Sequence, residues 1–128
     1  MKALTIKQPW AWAIVHAGKD IENRSWNTRL RGTIAIHAGL GYDKEAELPR
    51  GIKVPTDREI VHGAIIGLVD IVDVVEKHRS KWFSGPFGFV LSNPRSLSNP
   101  ILCPGRLSFW EVSPTVLRLI RKQIQDVM

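Results

Sequence analysis

His62-Gly63-Ala64-Ile65-Ile66-Gly67-Leu68-Val69-Asp70-Ile71-Val72-Asp73-Val74-Val75-Glu76 is the stretch on which the fold of this chain turns. Seven of these residues are Ile or Val. Branching at Cβ disfavours a helix and suits a pleated, packed surface. Gly63 and Gly67 interrupt the run, as glycine does where a strand bends or bulges. The expectation is a long, curved central strand, and such a strand needs partners.

The partners lie on both sides of it in the sequence. Ala3–Ile6 reads as a short first strand. Thr33–Ala38 alternates, with Ile34 and Ile36 on one side and Thr33, Ala35 and His37 on the other, so it reads as a half-buried strand. Gly88–Ser92 and Leu107–Val112 are two more strands, separated by a Pro/Asn/Ser-rich loop from Asn93 to Gly105. A helix follows Gln8-Pro9 and runs to about Ala17, with Trp10, Ala13, Ile14 and Ala17 toward the core. Trp12 and His16 share a second face, read as packing against the last helix. Gly18 suits the left-handed cap. Ser113-Pro114-Thr115 opens that last helix, whose apolar stripe is Val116, Leu117, Ile120, Ile124 and Val127. Its polar side carries Arg118, Arg121 and Lys122. The fold class expected is α+β: a small mixed β-barrel of about five to six strands with peripheral helices.

At 128 residues and 44% hydrophobic the chain is read as one domain, residues 1–128. Eighteen Lys+Arg against twelve Asp+Glu leave a net charge of +6, which favours an acidic partner, nucleic acid ahead of membrane. The first forty residues carry six Lys/Arg and two Asp/Glu, the next forty six against eight, and the remainder six against two. Both ends are basic and the middle is not. The single Cys103 forms no internal disulfide, and no His/Cys pair has zinc-ligand spacing, so neither a structural metal nor a cofactor is expected. No segment reaches the ~18 apolar residues of a membrane span. The reading is a reduced, cytoplasmic protein. Asp70 and Asp73, three apart in a strand, point to opposite faces, which argues against a shared Mg²⁺.

Gln8-Pro9-Trp10-Ala11 and Lys19-Asp20-Ile21-Glu22-Asn23-Arg24-Ser25-Trp26-Asn27-Thr28-Arg29-Leu30-Arg31-Gly32 combine cations, a carboxylate and indoles. Cations neutralise phosphate, an indole face stacks on a base, and a carboxylate accepts from exocyclic amines. Strand parity sets Lys19, Ile21 and Asn23 on one side and Asp20, Glu22 and Arg24 on the other. Trp82, Phe83 and Phe87 flank Gly85-Pro86, read as a loop pinned onto the barrel. The connection Gly39–Pro55 is long enough to carry function, and Tyr42 and Lys53 lie in it. His37 is a candidate at the barrel mouth.

Lys19-x-x-Glu22-x-Arg24 after the Gln8-Pro9-Trp10 helix, then Trp26-x-Thr28-x-x-Arg31-Gly32, His37, Gly85-Pro86-Phe87-Gly88-Phe89 and Gly105-x-x-x-Phe109-Trp110 resemble the ASCH domain over nearly the whole chain. The family pattern places glycine where this chain has Ala17. The resemblance implies a PUA-like β-barrel and a link to RNA binding and metabolism. Some ASCH proteins are ribonucleases on single-stranded RNA. Others are amidohydrolases on N4-acetylcytidine, with a threonine nucleophile where this chain has Glu22, so that nucleophile is not carried over. The leading expectation is an RNA- or nucleotide-binding domain, with metal-independent ribonuclease as the candidate activity. Lys19, Glu22, Tyr42 and Lys53 are the catalytic candidates, and Lys7, Arg24, Trp26, Arg31 and His37 the binding candidates. The partner is single-stranded RNA or a nucleotide, with DNA a further polyanion and membrane excluded. The alternatives are an amidohydrolase on a modified nucleoside and a non-enzymatic nucleic-acid or coactivator-type interaction module.

Overall fold

A computed structural model describes the backbone of residues 1–127 and the side chains of residues 1–124. The elements run β1 (Lys2–Gln8), α1 (Trp10–His16), β2 (Ile21–Arg24), β3 (Gly32–Tyr42), β4 (Ala64–Val75), β5 (Phe87–Leu102), β6 (Phe109–Glu111) and α2 (Pro114–Val127). The Ile/Val-rich run is β4, paired antiparallel with β3 on one side and β5 on the other, with the register shifts that its glycines foreshadow. The sheet is mixed, ordered β2-β5-β4-β3-β1-β6, with β1 and β3 parallel.

The expected barrel is corrected on one point: this sheet does not close. Among the described residues no ladder joins β2 to β6, the two edge strands. They have only four and three residues, and each pairs along one edge only, β2 with β5 and β6 with β1. The sheet curls instead until side chains bridge the gap. Trp26, following β2, meets Phe89 of β5 and Phe109 of β6 edge-on at 5.3 and 5.5 Å between ring centroids. Arg24 of β2 donates to the Thr5 carbonyl of β1 at 3.2 Å.

Two further expectations change. β3 is buried continuously from Ile34 to Gly39 rather than on one face, because α1 packs on one side and α2 on the other. Ile34 and Ile36 join Ala11, Ile14 and Val15 of α1; Ala35 joins Trp110 and Ile120, the latter from α2. Trp12 and His16 line a pocket with Pro55, Glu59 and Ile60, and no described residue of α2 lines it. The second change concerns Asn93–Gly105, most of which is strand. β5 continues to Leu102, with Leu97 and Ile101 buried. Pro94 falls between the paired residues Ser92 and Arg95, and Pro100 between Ser96 and Ile101, where register shifts relieve the ladder of an N–H that proline lacks.

At α2, the Ser113 hydroxyl accepts from Val116 N–H at 3.2 Å, as its N-cap reading requires. Val127, placed on the apolar stripe, lies outside the described side chains. No described helix is long and apolar enough to cross a membrane.

Candidate functional site

Gly18 has φ +74°, the left-handed cap that only glycine adopts without strain. The turn closes with Lys19 N–H on the Ala13 carbonyl at 3.1 Å. It delivers Lys19 under the Trp10 indole, with Nζ 5.7 Å from the ring centroid. Lys19 thus leaves the side that strand parity assigned it, because β2 begins only at Ile21. Its ammonium donates to the Ile21 carbonyl and, at 3.1 Å, to Glu22 Oε1. Glu22 and Arg24 do share a strand face as expected, and Arg24 Nε donates to Glu22 Oε2 at 2.9 Å.

Two of the three are buried and Arg24 is half-buried. Lys19 is 5% exposed and Glu22 7%. Leaving water costs several kcal/mol per ion, offset only when every charge is paired and hydrogen-bonded, and each Glu22 oxygen here faces its own cation. A carboxylate so held makes a poor nucleophile, which weighs further against Glu22 standing in for a threonine hydroxyl. Arg24 uses two of its five N–H groups on Glu22 and Thr5, and Lys19 uses two of three. Donors remain for a ligand.

Two open chambers flank Glu22. One, of about 280 Å³, is walled by Trp10, Trp82 and Phe83, with Lys19 and Glu22 at its floor and Glu47 and Lys81 also lining it. The other, of about 390 Å³, is lined by Thr5, Lys7, Arg24, Ser25 and Trp26, among others. Trp10, Glu22 and Asn23 border both. Trp10, half-buried and packed against the core, is thus also a wall of the cleft; its Nε1 donates to Asp43 at 3.0 Å, which ties the 43–63 connection to α1. Leu48 and Ile52 of that connection pack beside Trp10 and Trp82.

The other candidates are dispersed. Lys7 is exposed and lines the larger chamber, and Trp26 is half-buried at the seam. Arg31 points away, its guanidinium on the Thr28 and Leu30 carbonyls and 3.8 Å from Asp73. Tyr42 ends β3 opposite Gln8, and Lys53 is exposed in the following connection; neither lines a chamber. His37 is 2% exposed and is held away from the cleft. Its Nε2 donates to the Cys103 carbonyl at 2.8 Å, so Nδ1 accepts from the Thr5 hydroxyl at 3.2 Å.

Sequence reading gave no role to Asn23. Its Oδ1 accepts from Ser84 and Gly85 N–H at 2.9 and 3.0 Å, and its Nδ2 donates to the Trp82 carbonyl at 2.9 Å. The partners lie about sixty residues away, and no local pattern announces them.

The family model of the ASCH domain matches residues 4–100. Activating signal cointegrator 1 of Homo sapiens is 26% identical over 130 residues, covering 88% of this chain and 22% of that protein. The Mus musculus protein of the same name is 25% identical with the same coverage. The chain thus spans about a fifth of the length of these relatives. The crystal structure of ASCH from Zymomonas mobilis superposes with a TM-score of 0.52 at 16% identity, covering 94% of this chain and 93% of that one. At that identity the likeness is one of fold alone.

Proposed function

The chain belongs to the ASCH domain family, and on that premise we propose that it binds single-stranded RNA or a nucleotide in the cleft beside Lys19, Glu22 and Arg24. One observation carries the reading: a buried Lys19–Glu22 pair joined by the half-buried Arg24, with unused donors, opens onto two chambers walled by indoles and a phenyl ring. Ion pairs at a surface contribute only ~0–1 kcal/mol, and buried ones are weak contributors to stability. Ligand binding gives a reason for three charges to gather here. The net charge of +6 favours a polyanion.

A second reading, metal-independent strand cleavage, is favoured by the spare Lys19 and Arg24 donors beside the chambers. Scission needs a base to take the 2′-hydroxyl proton and a cation to hold the charge of the phosphorane. Lys19 or Arg24 would be that cation, and solvent takes the proton, because both Glu22 oxygens are already held by cations.

The test incubates wild type and a Lys19→Ala, Arg24→Ala double variant with labelled single-stranded RNA and with N4-acetylcytidine, in EDTA at near-physiological salt. Binding across a salt series and products are followed together. Saturable binding at that salt, lost in the double variant, supports the proposal, and strand products lost in the same way add the second reading. Deacetylation would restore the amidohydrolase. RNA binding unchanged in the double variant overturns the assignment to this cleft. Absence of RNA binding at that salt leaves a protein-interaction module of coactivator type.

A further inference from the structure

The two chambers differ in charge as well as in shape. The aromatic chamber balances Lys19 and Lys81 against Glu22 and Glu47. The seam chamber sets Lys7 and Arg24 against Glu22 alone, and the Glu22 oxygen on that side already accepts from Arg24. Among the described residues Lys7 makes no ion pair. A neutral, flat, polar group suits the first environment and an anion the second.

We infer that the cleft sorts one nucleotide between its chambers: an unpaired base enters between Trp10 and Phe83 over the Lys19–Glu22 floor, and the adjoining phosphate sits on Lys7 and Arg24. This deepens the function proposed above and rests on it. The floor offers a donor, Lys19 Nζ, beside an acceptor, Glu22 Oε1, at 3.1 Å. Every nucleobase presents an acceptor next to a donor on its pairing edge, so the floor meets that edge only when the base is unpaired. Each chamber is near or below the lower end of the ~300–1,000 Å³ typical of small-molecule sites, which fits a single base and a single phosphate better than a length of strand.

Asn23 makes the sorting geometrical. It borders both chambers, and its amide is engaged in holding the backbone of Trp82, Ser84 and Gly85 against β2. The loop that carries the Phe83 wall is thereby fixed relative to Glu22. Asn23 is a positioning residue, not one that touches the base.

The experiment compares a short oligoadenylate with the same sugar-phosphate strand lacking its bases, titrated against wild type, Phe83→Leu and Lys7→Ala over a salt series. Phe83→Leu keeps an apolar wall but removes its π face, and Lys7 is exposed, so both variants are chosen to fold; thermal melts check this. Wild type is expected to prefer the strand with bases. Phe83→Leu should weaken that strand by about tenfold, as loss of one stacking partner does, leaving the base-free strand and the salt slope unchanged. Lys7→Ala should weaken both strands alike and lower the slope of log K against log salt by about one. Asn23→Ala should reproduce the base-specific loss without changing the slope. If Phe83→Leu binds both strands as wild type does, or if Lys7→Ala leaves the slope intact, the sorting is overturned while the proposed function stands. If wild type fails to bind oligoadenylate at physiological salt but binds a mixed-sequence single strand, the sorting falls alone; if it binds neither these strands nor a mononucleotide, both fall.

Discussion

Two polar clusters meet at Thr5, and they are built on opposite terms. On one side the Thr5 carbonyl accepts from Arg24, which with Glu22 and Lys19 forms a charged set left with spare donors beside open space. On the other, the Thr5 hydroxyl accepts from Trp110 Nε1 at 3.0 Å and donates to His37, which donates to the Cys103 carbonyl. That chain uses both ring nitrogens of His37 and ends on a backbone carbonyl, with a partner for every side-chain group in it. A buried polar group is functional or structural according to what remains unsatisfied around it, and residue type alone does not tell the two apart.

The largest break in this comparison is Glu22→Ala. It leaves Lys19 buried without its counter-charge, and removal of one partner from a buried ion pair costs about 3–5 kcal/mol. Chemical denaturation should show a loss of that order together with loss of RNA binding. A stability change near zero would mean that the set is solvated and the charges are not coupled.

The Thr5–His37 chain is broken from the opposite side by Gly105→Ala. A Cβ there would lie 2.6 Å from Thr5 Oγ1 and 2.7 Å from His37 Cε1, and such overpacking costs about 1–3 kcal/mol. The expected result is lowered stability with unchanged affinity for single-stranded RNA. A parallel fall in affinity would show that Thr5 couples the two clusters through its backbone. Thr5→Val sharpens the point, because it removes the hydroxyl but keeps the carbonyl that Arg24 uses. Unsatisfied Trp110 and His37 groups should cost about 1–3 kcal/mol, again with cleft binding intact.

The smallest effect belongs to a half-exposed cluster around Asp70 that serves as the reference for both. Burial works to raise the Asp70 pKa, but hydrogen bonds from Thr33, Asn93 and Arg95 and the Arg95 charge outweigh it, holding the carboxyl below its ordinary value. A carboxyl depressed in the folded state adds stability that is present above its unfolded pKa and is lost as pH falls through the folded one. Asp70→Asn should therefore flatten the acid limb of the stability curve by at most about 1 kcal/mol, with no change near neutral pH in RNA affinity. An unchanged acid limb would assign that slope to other carboxylates.

How far the sequence could be read follows from the distance between partners. Lys19, Glu22 and Arg24 lie within six residues, so their charges announced a cluster, and strand parity placed Glu22 and Arg24 together. His37 looked equally eligible, yet the face it occupies is covered by Trp110 and the chain around Cys103. Trp10 followed the helical stripe of a core residue and is a wall of the cleft as well, because the 43–63 connection packs beside it and holds its indole through Asp43. The polar, proline-containing stretch after Ser92 read as loop, although Leu97 and Ile101 carry the strand inward.

What the sequence determined by itself is local: the β-branched central strand with its bulges, the glycine cap that aims Lys19, the serine cap of α2, and the charged set on β2. These depend on torsions and on neighbours within a few residues. Only the tertiary structure decided that the sheet curls without closing, that an aromatic seam and an arginine bridge its edges, and that Asn23 fixes a loop sixty positions away to make a second wall. Those outcomes depend on where the edge strands come to lie and on which side chains then fill the gap, and both are settled by packing across the whole chain.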